Sequence, residues 1–330
     1  MKEEELEKVI IVSGTSHPKL AKKTAALLEK ECYFPEIYKY LTGDFEVALP
    51  CNVRRKIVFV IQTFPPNLEQ VCYLFLETVF LVNAAYKASA EEVNLVVPHL
   101  GWDQSDKKWR GRMPIAGELI AAFFHWAGAK RFVGLQFHSP QFPGFFPLPT
   151  IVDHLVADPL LLEYVAKKVT SDTVLLPSDL GFAKSARKIA ERLGVPMIEV
   201  EKERKSPHEV IIHQVFGNAS GKRVIIWDDK IVAGTTVRAI VDFLEKQGAK
   251  EVIIVTTHGL FAGKAIENLK HPLIQEIVTT DSVPHSSELL QQLPITEISI
   301  APLLADAIRE ISIEGGSVSK LFEKSVIKSE

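Results

Sequence analysis

Residues 224–237 read VIIWDDKIVAGTTV, a stretch that joins a short apolar run to two acids and a glycine turn. The apolar run leads directly into Asp228 and Asp229, and Gly234 precedes two threonines at the start of a helical pattern. Carboxylates at the end of a buried strand can accept hydrogen bonds from the vicinal hydroxyls of a sugar. Backbone N–H groups at a helix N-terminus bind phosphate, because they are unpaired donors at the positive end of the helix dipole. The stretch predicts a sugar-phosphate site, and a capped helix without a ligand is the less favoured interpretation.

Composition sets the broad class of the protein. The chain has 330 residues, of which 47% are hydrophobic and 24% are charged, and this is typical of a soluble protein with two domains. A formal net charge of −3 gives no sign of a nucleic-acid surface. The cysteines, at 32, 51 and 72, lack C-x-x-C spacing and indicate unpaired thiols. Residues 1–8 are too charged for a signal peptide, and no run of about 18 apolar residues exists, so we expect a cytoplasmic protein without nucleic-acid or membrane partners.

Short β-branched runs alternate with amphipathic stretches along the whole chain, which favours βαβ units on parallel sheets. The predicted strands lie at 9–12, 57–62, 93–97, 131–136, 173–176, 224–227 and 252–256. The predicted helices lie at 18–28, 68–85, 115–127 and 183–193. Parallel sheets place their working loops at the carboxyl ends of the strands.

An internal repeat indicates duplication. Residues 90–99 read AEEVNLVVPH and residues 249–258 read AKEVIIVTTH, each after a strand and a helix. The spacing is close to half the chain length, which favours two similar α/β domains. We predict boundaries at 1–155 and 156–330, with the junction near 150–159.

Further segments carry a resemblance to a known family. The loop at 228–236 resembles the phosphoribosyl-binding loop of type I phosphoribosyltransferases and of ribose-phosphate diphosphokinases. Other segments resemble the diphosphokinases in the same order, and a phosphoribosyltransferase does not explain the first half of the chain. These segments are VSGTSHPKLA (12–21), FVIQT (59–63), GWDQSDKKWRGRMPI (101–115), FHSPQFPGFF (137–146), LPSDLG (176–181), EKER (201–204), THGLFAG (257–263) and TDSVP (280–284). The chain is identified as a divergent member of the ribose-phosphate diphosphokinase family.

The resemblance implies a fold, a reaction and an assembly. It implies two similar phosphoribosyltransferase-type α/β domains, each with a parallel sheet flanked by helices. The reaction is transfer of the diphosphoryl group of ATP to ribose 5-phosphate, with Mg²⁺, giving phosphoribosyl diphosphate and AMP in nucleotide biosynthesis. The N-terminal domain would carry the ATP-side loops and the oligomer contacts of a homodimer or hexamer, and the C-terminal domain the ribose-phosphate loop.

The resemblance also implies roles for individual residues. Lys202 and Arg204 match the cationic pair of a flexible catalytic loop, although a charged segment is otherwise a solvated surface. His138 and Asp179 match positions associated with the metal. The residues implied for ATP are Gln104, Ser105, Asp106, His138 and Asp44. Those implied for ribose phosphate are Asp179, Asp228, Asp229, Ala233, Gly234, Thr235 and Thr236.

Several positions depart from the family pattern and put the activity in doubt. Val232 stands where an aspartate is usual, and valine cannot accept a hydrogen bond from the sugar. Ala233 and Thr235 replace Thr and Gly, Gln104 and Ser105 replace Arg and Gln, and Gln136 replaces an acid. A charged hydrogen bond is worth roughly 1.5–3 kcal/mol, so a few uncompensated losses would slow turnover by orders of magnitude.

Three functions stay open at this point. The first is a divergent diphosphokinase; the second is a catalytically weak paralogue that binds nucleotide or sugar phosphate and regulates a true synthetase. The third is an altered donor or sugar specificity. The aromatic segment 142–146 is either an apolar dimer surface or an intrachain packing element.

Overall fold

The computed structural model describes residues 2–179, 181–206 and 209–323, and these residues form two compact units. Unit 1 is built from the chain up to Val156, from Ser282–Pro284 and from Ser299 onward. Unit 2 consists of Ala157–Asp281 and His285–Ile298. Each unit has its own parallel sheet and its own hydrophobic core, so the predicted α/β class with two domains is confirmed.

Unit 1 contains a six-stranded parallel sheet in the order β2-β1-β5-β6-β7-β8, with a separate antiparallel hairpin of β3 and β4. Its strands are β1 Val9–Ser13, β2 Cys32–Tyr33, β3 Glu36–Lys39, β4 Phe45–Ala48, β5 Ile57–Ile61, β6 Glu92–Val97, β7 Arg131–Leu135 and β8 Ile151–Leu155. Its helices are α1 Lys2–Glu7, α2 Pro18–Leu27, α3 Leu68–Lys87 and α4 Ala116–Ala127, followed near the end of the chain by α10 Ala301–Ser312 and α11 Lys320–Glu323. A 3₁₀ turn covers Phe142–Phe145.

The aromatic segment 142–146 belongs to the core of unit 1. Phe142 is fully buried and Phe146 is 7% exposed, and both rings pack in the cluster that contains Phe132 and Phe124. This decides between the two interpretations of the segment in favour of intrachain packing.

A polar network fixes the loop after β1. Glu77, on α3, is fully buried and accepts hydrogen bonds from the Thr15 backbone N–H at 2.8 Å, from the Thr15 hydroxyl at 2.5 Å and from Gln62 Nε2 at 3.0 Å. Gln62 Oε1 in turn accepts from the Ser16 N–H at 3.1 Å. Burial raises the pKa of Glu77, and the hydrogen bonds from Thr15 and Gln62 oppose that rise. The loop 14–17 is therefore held by a buried acid whose acceptor capacity is largely used.

Unit 2 contains a five-stranded parallel sheet in the order β15-β14-β13-β12-β9, and an antiparallel ribbon of β10 and β11. Its strands are β9 Thr173–Pro177, β10 Glu199–Ser206, β11 Glu209–Phe216, β12 Arg223–Ile231, β13 Glu251–Gly259, β14 Ile274–Thr280 and β15 Ile295–Ile298. Its helices are α5 Asp158–Ala166, α6 Ala183–Leu193, α7 Thr235–Lys246, α8 Ala265–Leu269 and α9 Ser287–Gln292.

All seven predicted strands and all four predicted helices exist, with small shifts at their ends. The largest shift is in β12, which was predicted to end at Trp227 and runs on to Ile231. The reason is pairing with β13, which continues through Asp228 opposite Thr256 and through Lys230 opposite His258. The acid pair therefore lies inside a paired strand, which fixes its backbone.

The last part of the chain corrects the predicted domain boundaries. We predicted a C-terminal domain at 156–330, whereas the described residues after Ile298 belong to unit 1. The physical reason is that α10 packs against α2 and buries Leu304 and Ile308 there, and Arg309 Nη2 donates to the Leu27 carbonyl at 3.3 Å. The first boundary, at Val156, lies one residue from the predicted one.

Two further expectations concern the surroundings of the protein. Within the described residues, no helix combines the length and apolar character needed to cross a bilayer. Cys32, Cys51 and Cys72 are free, which confirms the prediction of unpaired thiols.

Candidate functional site

The predicted ribose-phosphate residues converge at the carboxyl edge of the unit 2 sheet. β9 pairs in parallel with β12, so that Pro177 lies opposite Trp227. Ser178 then donates its N–H to the Trp227 carbonyl at 3.1 Å. Asp179 follows Ser178 at the end of β9, and its Oδ1 accepts from the Phe182 N–H at 2.8 Å. Asp179 and the acids of β12 therefore share one edge of the sheet.

The acid pair of β12 has a strongly perturbed electrostatic environment. The pKa of Asp228 is raised well above its ordinary value, mainly by burial and then by the charge of Asp229 and a hydrogen bond with it. The charge of Asp179 adds to the rise, and a hydrogen bond from Ser178 opposes it. The Asp229 N–H also donates to Asp228 Oδ1 at 2.9 Å. A cation or the hydroxyls of a sugar would relieve the repulsion between these carboxyls.

A further acid that the sequence did not single out stands at the start of α5. Burial raises the pKa of Asp158 to about 6, the indole of Trp227 and the charge of Arg192 oppose the rise, and the charge of Asp229 adds to it. Within the described residues, Oδ1 of Asp158 and Nε1 of Trp227 are both buried without a partner at hydrogen-bonding geometry. Asp158 thus extends the acidic character of the site beneath β12.

The loop between β12 and α7 has the geometry of a helix N-terminus opened by glycine. Gly234 is the N-cap residue with φ +71°, a left-handed conformation that glycine adopts without cost. The Arg238 N–H donates to the Gly234 carbonyl at 2.8 Å, which begins the helix. The N–H groups of the first turn of α7, including those of Thr235 and Thr236, have no acceptor within the helix. This loop can therefore offer backbone donors to a phosphate.

The loop is held from one side by the segment that follows β13. The Ala233 carbonyl accepts from Asn268 Nδ2 at 2.7 Å, and the Val232 carbonyl accepts from the Ala262 N–H at 2.9 Å. A Cβ on Gly234 would lie 3.0 Å from Leu269, which leaves little room for a larger residue. The side chain of Val232 is 41% exposed, so an apolar group faces outward beside the predicted sugar site.

The predicted catalytic cations lie on the antiparallel ribbon of unit 2 and not on an irregular loop. Lys202 is on β10, and its Nζ donates to the Ser178 carbonyl at 2.5 Å. A positive charge therefore stands at the edge that carries Asp179 and Asp228. Arg204 is also on β10, and its side chain lies outside the described part of the structure.

In unit 1, the loops after β6 and β7 come together, since these two strands are paired in parallel. The His138 N–H donates to Oδ2 of Asp103, which is 4% exposed, at 3.4 Å. Trp102 and Gln136 have φ values of +71° and +48°, uncommon for residues with side chains and typical of strain stored at functional loops. The side chain of His138 is exposed.

The remaining residues predicted for ATP are divided between two places in unit 1. Gln104 and Asp106 lie in the loop between β6 and α4. Ser105 has a structural contact there, because its Oγ accepts from the Ala116 N–H at 3.3 Å and its carbonyl accepts from Gly117. Asp44 lies in the turn of the β3–β4 hairpin, where it accepts from the Thr42 hydroxyl.

The residues predicted to hold the metal, His138 and Asp179, belong to different units. Among the described residues, no three His, Cys, Asp or Glu side chains form a ready-made metal cluster. The carboxylates of Asp179, Asp228 and Asp229 nevertheless suit a hard cation such as Mg²⁺, which is commonly bound by one or two carboxylates, waters and substrate phosphates.

A cavity of about 640 Å³ opens at the opposite, amino edge of the unit 2 sheet. Its charged lining residues pair with one another: Lys168 with Glu276 at 2.7 Å, and Arg223 with Glu251 at 2.7 Å. Because these charges are already compensated, we place the candidate site at the carboxyl edge.

Sequence reasoning missed the residues that support the site. Ser178 contacts Asp228 through its side chain and Lys202 through its carbonyl, Asp103 holds the backbone of His138, and Asn268 holds Ala233. Ser178 and Asp103 lie inside the segments 176–181 and 101–115 that resemble the family, so their place in the sequence could have identified them. Asn268 offered none, because its contact depends on the fold.

Two family models match the chain and together cover most of it. Residues 9–128 match the N-terminal domain of ribose phosphate pyrophosphokinase. Residues 181–323 match the phosphoribosyl synthetase-associated domain. The first match includes the loop after β6, and the second includes the acid pair, the ribbon of β10 and β11 and the loop between β12 and α7. His138 and Asp179 lie between the two matches.

Individual relatives are similar along nearly the whole length. A ribose-phosphate pyrophosphokinase of Streptomyces coelicolor is 36% identical over 320 residues, covering 96% of this chain and 97% of its own. One of Caldanaerobacter subterraneus is 37% identical over 317 residues, covering 94% and 97%. The crystal structure of phosphoribosylpyrophosphate synthetase from Mycobacterium smegmatis superposes with a TM-score of 0.82 at 32% identity, covering 92% of this chain and 98% of that one. The chain belongs to the ribose-phosphate pyrophosphokinases, a family of enzymes.

Proposed function

We propose that the protein transfers the diphosphoryl group of ATP to ribose 5-phosphate, giving phosphoribosyl diphosphate and AMP. The observation that carries this proposal is the carboxyl edge of the unit 2 sheet. There, Asp228 and Asp229 lie beside a glycine-opened helix N-terminus, and Lys202 reaches the same edge through Ser178. Family membership supports the same reaction, and the relatives are named for it.

Ribose 5-phosphate would use the two halves of this edge differently. The phosphate would accept hydrogen bonds from the first-turn N–H groups of α7 and from the hydroxyls of Thr235 and Thr236, next to Ala233 and Gly234. The vicinal hydroxyls would face Asp228 and Asp229, whose carboxyls can accept from them. Binding would thus fix the sugar at both ends, which is the positioning that phosphoryl-type transfer requires.

Charge compensation would supply much of the remaining catalysis. Mg²⁺, held by Asp179 and Asp228 together with substrate oxygens, would neutralise the negative charge of the diphosphoryl group. Lys202 would add a positive charge where negative charge develops during transfer, and Arg204 is proposed to do the same. On the nucleotide side, Gln104, Ser105, Asp106, His138 and Asp44 remain predictions for ATP.

The reaction can be tested directly. Purified protein is incubated with ATP, ribose 5-phosphate and Mg²⁺, and the products are followed by phosphorus NMR. We expect AMP and phosphoribosyl diphosphate in equal amounts. Intact ATP, or AMP formed without ribose 5-phosphate, would contradict the proposed transfer.

Replacing Val232 by aspartate should improve the use of ribose 5-phosphate. The side chain at this position is outward-facing and follows the acid pair along the chain, so we expect a carboxylate there to accept from a sugar hydroxyl. One charged hydrogen bond corresponds to about a 10- to 100-fold lower KM for ribose 5-phosphate. The measurement is steady-state kinetics at saturating Mg²⁺, which compensates the added charge.

The matched control is Val232→Asn, which has nearly the shape of aspartate without its charge. A smaller gain is expected for asparagine. If the aspartate variant used ribose 5-phosphate no better than the wild-type protein, the side chain at position 232 would not face the sugar.

We further propose that the protein assembles as a homo-oligomer, a dimer or a hexamer, through the exposed apolar stripe of α4. Leu119, Phe123 and Trp126 recur at helical spacing with exposures of 50%, 43% and 69%, and Phe123 packs edge-to-face on Trp126. The only charged or titratable side chains of α4 are Glu118 and His125. A stripe with so little charge does not repel a second copy of itself, as an isologous interface requires.

Trp126→Glu should shift the protein to a smaller assembly, because two such stripes would each bring a charge into an apolar contact. Molecular mass is measured by light scattering after size-exclusion chromatography. Trp109→Glu changes an equally exposed tryptophan, at 72%, outside α4 and should leave the mass unchanged. A monomeric wild-type protein would refute the assembly, and an unchanged mass in the Trp126 variant would refute this interface.

We also propose that the protein acts in the cytoplasm without nucleic-acid or membrane partners. The free cysteines support a reducing compartment. The net charge of −3 supports the expectation that no nucleic-acid surface is present.

A further inference from the structure

A buried histidine bridges two strands of unit 2 near the candidate site. The side chain of His285 is 2% exposed. Its Nδ1 lies 2.8 Å from Glu297 Oε1 on β15, and its Nε2 lies 2.6 Å from the carbonyl oxygen of Gly259, the last residue of β13. Its ring packs on that of Phe261, with centroids 5.4 Å apart. The imidazole therefore fixes the end of β13 against β15.

The chain after Gly259 is the same segment that holds the loop between β12 and α7. The Leu260 N–H donates to the Ile231 carbonyl at 2.8 Å, and the Ala262 N–H donates to the Val232 carbonyl at 2.9 Å. With Asn268 on Ala233, three successive carbonyls of the loop are held by residues 260–268. The position of the loop therefore depends on the position of this segment.

The segment adopts a turn that its own residues do not favour. Phe261 has φ +46°, a left-handed conformation that side chains disfavour. Gly259 has no room for a Cβ, which would clash with the Phe261 ring and lie 2.7 Å from Thr279 Oγ1. Such a conformation persists only where the surroundings impose it. His285 contacts both residues of the turn, Gly259 by a hydrogen bond and Phe261 by its ring.

We propose that His285 is a positioning residue for the ribose-phosphate site. It holds the turn at 259–263, and through that turn it holds the loop 231–234 in the conformation that presents the N-terminus of α7 to phosphate. This inference rests on the proposed function, because it assigns a support to the site where ribose 5-phosphate would bind. His285 itself touches neither substrate nor reacting atoms.

The test separates a positioning role from a general contribution to stability. The dissociation constant of ribose 5-phosphate is measured by isothermal titration calorimetry for wild-type protein, His285→Ala and His285→Gln, together with thermal unfolding. We expect about tenfold weaker binding in the alanine variant, because a loop that samples other conformations binds in proportion to its competent fraction. Glutamine can donate one of the two hydrogen bonds and should restore part of the affinity. The KM for ATP should stay within about twofold of wild type, because a change confined to the loop 231–234 leaves the fraction of protein competent to bind ATP unchanged.

The matched control is His271→Ala. His271 is also buried in unit 2, with a side chain 5% exposed, and its Nε2 lies 3.5 Å from Asp242 Oδ1 near the other end of α7. Its removal should lower thermal stability without weakening ribose 5-phosphate binding. A His285→Ala protein that binds ribose 5-phosphate as the wild type does, or that weakens no more than His271→Ala, would overturn the inference. If the wild-type protein itself did not bind ribose 5-phosphate, the proposed function would be overturned as well, and the measurement on wild type alone distinguishes this case.

Discussion

Lys202→Ala should lower the turnover of ATP and ribose 5-phosphate by about 10²- to 10³-fold, the usual loss when a group that stabilises transition-state charge is removed. Lys202 is fixed at the working edge of unit 2 by the bond from its Nζ to the Ser178 carbonyl. Phosphoryl-type transfer has little covalent chemistry for a protein to perform, so a lost positive charge weighs heavily. Binding of ribose 5-phosphate should change little, because that ligand is held by α7 and the acid pair. The measurements are AMP formation at saturating substrates and calorimetric binding of ribose 5-phosphate.

Two variants sharpen this prediction. Lys188→Ala removes an exposed cation from α6 in the same unit and should leave turnover unchanged. Lys202→Arg keeps the charge with a different shape and should recover part of the activity. If Lys202→Ala and Lys188→Ala turned over equally fast, Lys202 would have no catalytic role.

Glu77→Leu should destabilise unit 1 by about 3 kcal/mol. Leucine keeps the apolar contacts of α3 but leaves the Thr15 N–H and Gln62 Nε2 without their acceptor, and each unsatisfied buried donor costs about 1–3 kcal/mol. The measurement is urea unfolding followed by tryptophan fluorescence, which reports mainly on unit 1 because Trp102, Trp109 and Trp126 belong to it. Glu77→Gln is the control, since its amide oxygen can still accept from both donors.

The pH dependence of stability, compared between the wild-type protein and Glu77→Gln, tests the protonation of Glu77. Because burial raises the pKa of Glu77 in the folded protein, folding favours the protonated acid. The stabilisation from Glu77, measured relative to the Glu77→Gln variant, is therefore fully present below the ordinary pKa of glutamate and is lost as the pH rises through the raised value. Wild-type protein should lose stability relative to Glu77→Gln as the pH rises from about 4 through the raised pKa of Glu77, on the scale of about 1.4 kcal/mol per pKa unit. If the wild-type protein instead became more stable relative to Glu77→Gln as the pH rose, burial would not be the dominant influence on the pKa of Glu77.

The parts of the fold that local patterns encode were predictable. The apolar run before Asp228 and the glycine before Thr235 predicted β12, α7 and the site between them. The length of β12 was not predictable, because its last residues are strand only through pairing with β13. The EKER segment looked like solvated charge, and it is strand because β11 pairs with it in an antiparallel arrangement. Long-range pairing of this kind leaves no local period in the sequence.

The candidate site was predictable to a similar extent. The residues predicted to bind ligand came from short segments with a chemical reason for each side chain. The structure places Asp228 and Asp229, chosen in that way, near the end of β12 and Gly234 at the N-terminus of α7. Ser105 shows the limit, because the structure gives it a contact with the start of α4 that supports the loop whatever the ligand. Supports such as His285 belong to distant segments, and only the folded chain brings them to the site.

The return of α10 to unit 1 has a consequence for the order of events during synthesis. Translation delivers β1 to β8 and α2 first, but α10, which packs against α2, leaves the ribosome only after all of unit 2. Unit 2 is in effect an insertion within unit 1, and it can fold before α10 and α11 of unit 1 have been made. A nascent chain whose residues up to Ile298 have emerged from the ribosome would carry a finished unit 2 and an N-terminal half in which α2 lacks its contact with α10. An uncovered helix face of this kind is a surface that chaperones bind.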